Sequence, residues 1–230
     1  MSQRDPVHLR PTAPLGERVL LPGDPGRALA LAQTLLREPR MFNHHRGLWG
    51  YTGEAPDGEP LTIQATGMGG PSAAIVLTEL IALGARRAVR VGTCGALAAG
   101  LALGELVLAS EAICADGTSR ALGAGERIAA DRSLTDALAD HAPGAHRGAI
   151  VSVDLFYENG RPGQGHQALA VEMEAAALFA VGSAAQVPVA CVLAVSDTFD
   201  AGGARHRIDD HSLLAAAERM GAAAIAALSP

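Results

Sequence analysis

Short apolar runs that end at glycine or a polar turn alternate along this chain with longer stretches rich in Ala and Leu. Several of the short runs are β-branched, as strands are, whereas the longer stretches have helical character. This alternation is typical of an α/β protein whose central strands are buried on both faces. Strands are predicted at 18–22, 61–65, 87–92, 105–109, 148–153 and 189–195, and helices at 26–37, 71–84, 131–141, 173–186 and 211–228.

We expect one domain over residues 1–230, because no repeat and no linker-like tract divides the chain. This length is ample for a buried core. Two segments, 157–168 and 197–210, are rich in Gly and polar residues, and they are predicted to be mobile lids.

The charged residues and cysteines exclude several functions. All 18 basic residues are Arg, so the chain has no lysine for a Schiff base or for a P-loop. The net charge of −6 argues against a nucleic-acid partner. The three cysteines have neither the spacing of a zinc site nor the even count of a disulfide framework, so we expect no metal.

The chain shows no sign of export or of membrane insertion. Its first 14 residues lack the apolar core of a signal peptide, and no stretch reaches the roughly 18 uninterrupted apolar residues of a spanning helix. We therefore expect a cytoplasmic protein with no membrane partner.

Ligands of open α/β sheets gather at the carboxyl ends of the strands, and four such junctions are unusual here. The first, PGDPGR at 22–27, offers backbone N–H groups and Arg27 to an anion, although a turn with an exposed arginine is the simpler interpretation. The second, 90–95, places Arg90 inside an apolar run and Thr93 after it. A buried arginine needs a partner, and a structural ion pair is as good an interpretation as a ligand.

The third junction has two carboxylates, Glu172 and Glu174, that open a predicted helix, where the helix dipole already favours acidic residues. A functional carboxylate there would accept two sugar hydroxyls. The fourth is Asp197, at the end of the most hydrophobic strand, which is either a cap or a catalytic acid. Met68 and Phe156 are ordinary core candidates taken singly. Taken together, these residues predict a pocket for phosphate, ribose and base, which indicates nucleoside phosphorolysis.

The chain resembles the hexameric purine nucleoside phosphorylases of bacteria, within the wider nucleoside phosphorylase family, from about His8 to near the C-terminus. The resemblance rests on segments that occur in family order: LLPGDPGRA, NHHRGLWGYTG, TGMGGPSAAI, VRVGTCGAL, DLFY, VEMEAAALF and AVSD. It implies a three-layer α/β/α fold with a central mixed, partly barrel-like sheet. It also implies phosphorolysis of purine (deoxy)ribonucleosides by inorganic phosphate with no further cofactor, and a homohexamer built as a trimer of dimers with shared sites.

The same resemblance implies a role for each matching residue. Phosphate binding is implied for Gly23, Arg27, Arg46, Arg90 and Thr93. Ribose binding is implied for His8, Met68, Met173 and Glu174, and His8 and Arg46 would reach into a neighbouring subunit's site. Base binding is implied for Cys94, Gly95, Phe156, Val171, Glu172, Ser196 and Asp197. Asp197 is also the implied general acid toward purine N7.

The sequence departs from the family pattern in two places. The segment 157–172 is shorter than usual, which predicts a more open wall on the base side. The family's arginine that pairs with the acid has no clear counterpart, and Arg205 and Arg207 are left as alternatives.

Three other functions are alternatives to purine nucleoside phosphorolysis, and a feature of the sequence argues against each. A uridine phosphorylase would show a Gln-x-Arg element after the Phe-Tyr pair and typically Asn in place of Asp197. A nucleosidase that uses water, such as one acting on methylthioadenosine, has no need of an arginine cluster. A catalytically silent nucleoside-binding protein on the same fold would not need an intact Asp197 and Glu174.

Overall fold

A mixed sheet lies at the centre of the computed structural model, which describes residues 5–157, 163, 165–200 and 202–229. The strands in these residues are β1 (Arg18–Leu21), β2 (Arg37–Asn43), β3 (Gly50–Glu54), β4 (Pro60–Gln64), β5 (Arg87–Ala96), β6 (Leu106–Ala115), β7 (Arg127–Ala129), β8 (His146–Val153), β9 (Ala170–Glu172), β10 (Val189–Phe199) and β11 (Arg205–Arg207). The helices are α1 (Pro25–Leu35), α2 (Gly70–Leu83), α3 (Gly117–Ala121), α4 (Arg132–His141), α5 (Ala175–Ala185) and α6 (Asp210–Leu228). None of the helices in the described residues is both long and apolar enough to span a membrane.

Part of the sheet closes on itself. Strand β10 pairs antiparallel with β6 and parallel with β5, and β8 and β9 connect β6 to β5, so these five strands form a ring. From β5 the sheet continues outward through β1, β4, β3 and β2, while β11 extends β10 and β7 pairs with β6. The mixed, partly barrel-like sheet expected from the family resemblance is therefore confirmed.

Helices cover the sheet on both faces. The side chains of each central strand point alternately to one face and to the other. On β1, Val19 and Leu21 pack in the core beneath α2 and α5, whereas Leu20 between them packs in the core beneath α1, α4 and α6. Because successive strand residues point to opposite faces and both faces are covered, such strands read as continuous apolar runs. The three-layer α/β/α arrangement is confirmed.

The structure corrects several predicted boundaries. Strands β5, β6 and β10 extend past their predicted ends, because the residues that follow still pair with neighbouring strands. Strands β2, β3, β7, β9 and β11 and helix α3 were not predicted. All of them are short, and β2, β7 and β11 are largely exposed, so none carries a long apolar run.

Much of the predicted lid at 197–210 is regular secondary structure. Residues 197–199 of β10 pair antiparallel with 205–207 of β11, and α6 begins at Asp210. That this segment moves as a lid stays a prediction. Half of the other predicted lid, 157–168, lies outside the described residues.

Candidate functional site

Arg90 is the centre of a buried charge cluster. It lies on β5 between β1 and β10, and only 3 % of its surface is exposed. Its Nη2 donates to Glu174 Oε2, and its Nε lies 3.0 Å from Glu172 Oε2. Burial by itself lowers the pKa of Arg90, but the charges of Glu174 and Glu172 outweigh burial and raise it. Among the described residues, Nη1 of this buried guanidinium has no hydrogen-bond partner.

Glu172 holds the start of helix α5. Its carboxylate accepts hydrogen bonds from the backbone N–H groups of Glu174 and Ala175 and from the hydroxyl of Ser152, whose oxygen accepts from Ala176 N at 2.9 Å. These contacts satisfy the first N–H groups of the helix, which explains why α5 begins at Ala175 and not at the predicted residue 173. Burial, opposed by Arg90 and reinforced by Glu174, raises the pKa of Glu172. The implied role of Glu172 in base binding stays a prediction.

Glu174 joins the cluster to the turn that precedes α2. Its Oε1 accepts from Gly69 N at 2.5 Å. Gly67 and Gly69 both have positive φ angles, of 76° and 87°, which glycine adopts without strain. Met68 between them is 90 % exposed. The turn therefore presents Met68 to solvent above Glu174, where an apolar ligand face can pack on it.

The PGDPGR segment lies against the same turn. Gly67 N donates to Gly23 O at 3.0 Å, and Asp24 caps α1 by accepting from Arg27 N at 2.7 Å. Burial and the charge of Arg90 lower the pKa of Arg27. The charges of Asp24 and Glu174 oppose this shift, but burial is the largest effect. Arg27 thus lies within electrostatic range of Arg90 and Glu174. Thr93 is half-buried three residues after Arg90 on β5.

Asp197 lies at an irregularity of the sheet. The register of β10 against β5 shifts between Val195 and Asp197, so that Ser196 is the extra residue of a β-bulge, a feature that re-aims side chains. Asp197 is buried, its Oδ2 is 2.6 Å from the Ser196 hydroxyl, and that hydroxyl is also 3.2 Å from Cys94 O. Burial raises the pKa of the Cys94 thiol, which therefore stays protonated.

Arg205 supplies the arginine partner that the sequence left undecided. Its Nε donates to Asp197 Oδ1 at 2.7 Å, and its guanidinium carbon lies 4.6 Å from the centre of the Phe156 ring. Arg207 is the residue directly opposite Asp197 in the hairpin register, whereas Arg205 reaches Asp197 diagonally. Arg205 therefore connects the predicted acid to a predicted base-binding side chain.

Apolar groups border this acid. Gly95 pairs with Val171 across β5 and β9, and a Cβ on Gly95 would lie 3.3 Å from a Val171 methyl group. Met173 is half-buried beside Val171, in a small cluster with residues of β6 and β8. Phe156 is partly exposed and contacts the Tyr157 ring edge-on, with the ring centres 4.9 Å apart.

His8 and Arg46 belong to a second group of residues. His45 Nδ1 donates to His8 O at 2.9 Å, and His8 Nδ1 is 2.7 Å from Glu79 Oε1 on α2. Arg46 is exposed and has left-handed backbone angles, φ 60° and ψ 20°. Within the part of the chain that the structure describes, no hydrogen bond or ion pair joins these side chains to Arg90 or Asp197. The structure thus sets His8 and Arg46 apart from the Arg90 cluster and from Asp197.

A groove of about 880 Å³ lies elsewhere on the molecule, between the C-terminal end of α4 and helix α6. None of the predicted site residues lines it. The candidate site is therefore defined by its charges and hydrogen bonds.

The chain is similar to known proteins over most of its length. The family model of the Phosphorylase superfamily matches residues 17–229. The chain belongs to the phosphorylase superfamily. It is 35% identical over 195 residues to a purine nucleoside phosphorylase, DeoD-type, of Oceanobacillus iheyensis, covering 80% of this chain and 83% of that protein. It is 37% identical over 195 residues to the protein of that name from Jannaschia sp., covering 80% and 82%. For the Geobacillus kaustophilus protein of that name the identity is 35% over 196 residues, covering 81% and 83%.

Sequence reasoning missed several residues that shape the site of this phosphorylase-superfamily member. The Asp-Pro pair at 24–25 is a recognisable helix start, so Asp24 was detectable as a cap. Ser152 and Glu79 carry no such local signal, because their partners are 20 to 72 residues away in the chain. The choice of Arg205 over Arg207 needed the hairpin geometry.

Inorganic phosphate is expected to stabilise this superfamily member, because an anion that binds only the folded state adds about 2.7 kcal/mol at one hundred times its Kd. Arg27→Gln should lose most of that gain, since it removes one guanidinium and leaves the Arg90 cluster intact. The measurement is Tm against phosphate concentration at constant ionic strength.

Arg132→Gln is the matched control, because the Arg132 side chain on α4 is 92% exposed, and it should keep the full phosphate effect. If phosphate raised the Tm of Arg27→Gln as much as that of the unmodified protein, the anion would bind away from Arg27.

Proposed function

We propose that this chain is a purine nucleoside phosphorylase, which converts a purine (deoxy)ribonucleoside and inorganic phosphate reversibly into the free base and (deoxy)ribose 1-phosphate. The observation that carries the proposal is the buried Arg90, which has an unpartnered Nη1 in the described residues and lies near Arg27 and Glu174. Because Arg90 and Glu174 are in contact, an anion bound to Arg90 would lie next to a sugar whose hydroxyls are bound to Glu174. The purine nucleoside phosphorylases of Oceanobacillus, Jannaschia and Geobacillus align with this chain over about four fifths of its length.

In the proposed reaction a phosphate oxygen bonds to the anomeric carbon while the bond from that carbon to purine N9 breaks. Arg90, Arg27, Gly23 and Thr93 hold the phosphate, and Glu174 accepts hydrogen bonds from the ribose hydroxyls. Holding the two reactants in line supplies about 7–11 kcal/mol of the barrier reduction. The reaction uses phosphate as co-substrate and needs neither a metal nor an organic cofactor.

The electron pair of the broken bond moves into the purine, and protonated Asp197 gives its proton to N7. Proton transfer leaves a carboxylate on Asp197, and Arg205 Nε lies 2.7 Å from that carboxyl group. Arg205 therefore stabilises the product side of the proton transfer. Phe156, held beside Arg205, would pack on the base.

We also propose that the sites are shared between subunits of a hexamer, a trimer of dimers. Arg46 is exposed in a left-handed conformation, and such strain, about 1–3 kcal/mol, is typical of functional positions. Exposed apolar side chains lie on or beside the segments that carry His8 and Arg46: Val7, Trp49 and Ile75. A neighbouring copy would cover these side chains.

The buried free cysteines Cys94, Cys114 and Cys191 suit a reducing, cytoplasmic location.

A water-using nucleosidase is not favoured, because it would give the unpartnered Nη1 of Arg90 and the neighbouring Arg27 no anion to bind. A uridine phosphorylase is not favoured either, since Asp197 is paired with Arg205 and the relatives are named for purines.

The proposed function is tested by turnover of adenosine and inosine with and without phosphate. Base release should require phosphate and should yield ribose 1-phosphate, measured by chromatography of both products. Equal rates in phosphate-free buffer with free ribose as the product would establish a nucleosidase instead.

Replacement of Asp197 by Asn should lower kcat for adenosine by about 10²-fold or more, the usual scale for the loss of a general acid. KM should change far less, because the amide keeps a donor and an acceptor. A 7-methylated purine nucleoside needs no proton at N7 and should largely escape the loss. If both substrates lost the same factor, Asp197 would position the base and would not protonate it.

Arg205→Gln should lower kcat for adenosine by about 10- to 100-fold, since a hydrogen bond to a charged group contributes about 1.5–3 kcal/mol. Arg207→Gln is the matched control: its side chain lies on the same exposed strand, and kcat should stay within about twofold. Steady-state kinetics of both variants check this. A larger loss in Arg207→Gln than in Arg205→Gln would contradict the assignment.

A further inference from the structure

Glu79 is a buried carboxylate that the proposed reaction does not use. It is the one charged residue of α2, in an otherwise largely apolar helix. A carboxylate is costly to bury unless it is hydrogen-bonded, and the partners of Glu79 all come from the N-terminal segment. The backbone N–H groups of Val7, His8 and Leu9 donate to it at 2.7–3.1 Å, and His8 Nδ1 is 2.7 Å from its Oε1.

These contacts keep Glu79 charged and orient the His8 ring. Burial would raise the pKa of Glu79, but the His8 ring and the three amides outweigh burial and lower it. Because His8 Nδ1 is engaged by the carboxylate, only Nε2 of that ring remains for a ligand. The His8 side chain is 34% exposed, so that nitrogen is not sealed in the core by its own subunit.

The network continues from His8 to the segment that carries Arg46. His45 Nδ1 donates to His8 O at 2.9 Å, and a carbonyl oxygen can only accept, so His45 carries a proton on Nδ1. Asn43 reinforces the link, since its Oδ1 accepts from Arg10 N at 2.9 Å and its Nδ2 donates to Leu48 O at 2.5 Å. These hydrogen bonds connect the two segments into one unit, which is anchored to α2 by Glu79.

We propose that Glu79 is the positioning residue of this unit: it fixes His8 directly and Arg46 through His45, and so completes the nucleoside site of the neighbouring subunit. The proposal rests on the shared site of the proposed function. Its consequence is directional, because a defect at Glu79 damages the partner's site and leaves the site in its own subunit intact.

The first test is Glu79→Gln, which keeps the size of the side chain but replaces one acceptor oxygen with a donor group. The value of kcat/KM for adenosine should fall at least tenfold. Circular dichroism and Tm establish that the variant is folded.

The decisive test is complementation between variants that are co-expressed with two affinity tags and purified over both. With Asp197→Ala as partner, Glu79→Gln should regain activity, because one site of each mixed dimer has an intact Asp197 and an intact neighbouring unit. With Arg46→Ala as partner it should regain none, because both variants damage the same unit. Recovery in the Arg46→Ala pair, or an unchanged kcat/KM in Glu79→Gln alone, would overturn the proposal.

One control distinguishes failure of the shared site from failure of the role assigned to Glu79. The pair Arg46→Ala and Asp197→Ala should recover activity. If it does not, although the unmodified protein turns over with phosphate, the shared site and the role of Glu79 are both overturned while phosphorolysis stands.

If Glu79→Gln does not fold, His45→Ala takes its place and should show the same pattern of recovery. His44→Ala, at an exposed neighbour that makes no cap hydrogen bond, should keep full activity. Full activity in His45→Ala would overturn the link between His8 and Arg46.

Discussion

The buried contact of Arg90 with Glu172 and Glu174 is the interaction on which the rest of the site depends. One guanidinium on β5 faces two carboxylates that lie just ahead of α5, and removing the guanidinium would leave two buried carboxylates without their cation. The same contact therefore joins the closed part of the sheet to a helix and places the groups proposed for phosphate and ribose side by side.

The charge balance of this cluster gives a physical reason for a shared site. Arg90 and Arg27 together offset Glu172 and Glu174 when both carboxylates are ionised, so a bound phosphate dianion adds two uncompensated negative charges at low dielectric. A third guanidinium, such as the proposed Arg46 of a neighbouring copy, reduces that excess. Arg46 is exposed in its own subunit, as such a contribution requires.

Rigid elements set most of the geometry around the acid. The bulge at Ser196 and the hairpin to β11 fix Asp197 between a hydroxyl and the Arg205 guanidinium. Arg205 in turn contacts Phe156, so the acid and the proposed base wall are held by one side chain. By contrast, His8 and Arg46 lie in loops that are held by the Glu79 carboxylate, the Asn43 side chain and the hydrogen bond between His45 and His8.

Local patterns in the sequence predicted much of this protein. Apolar runs marked the central strands because those strands are buried on both faces. The residues at the ends of the strands were recognisable by type: an arginine in an apolar run, paired carboxylates, and an aspartate after a hydrophobic strand. Edge strands such as β2 and β11 lack an apolar run and were missed.

The tertiary structure alone decided which of these residues meet. Positions 205 and 207 both hold arginine, and because they are two residues apart on a strand they lie on the same face. Only the diagonal reach across the hairpin puts Arg205 on Asp197. The link from Glu79 to His8 spans 71 residues, and the closure of β10 onto β5 joins strands about a hundred residues apart. Such contacts depend on how layers pack and on the register of paired strands, and neither is encoded in a local run of residues.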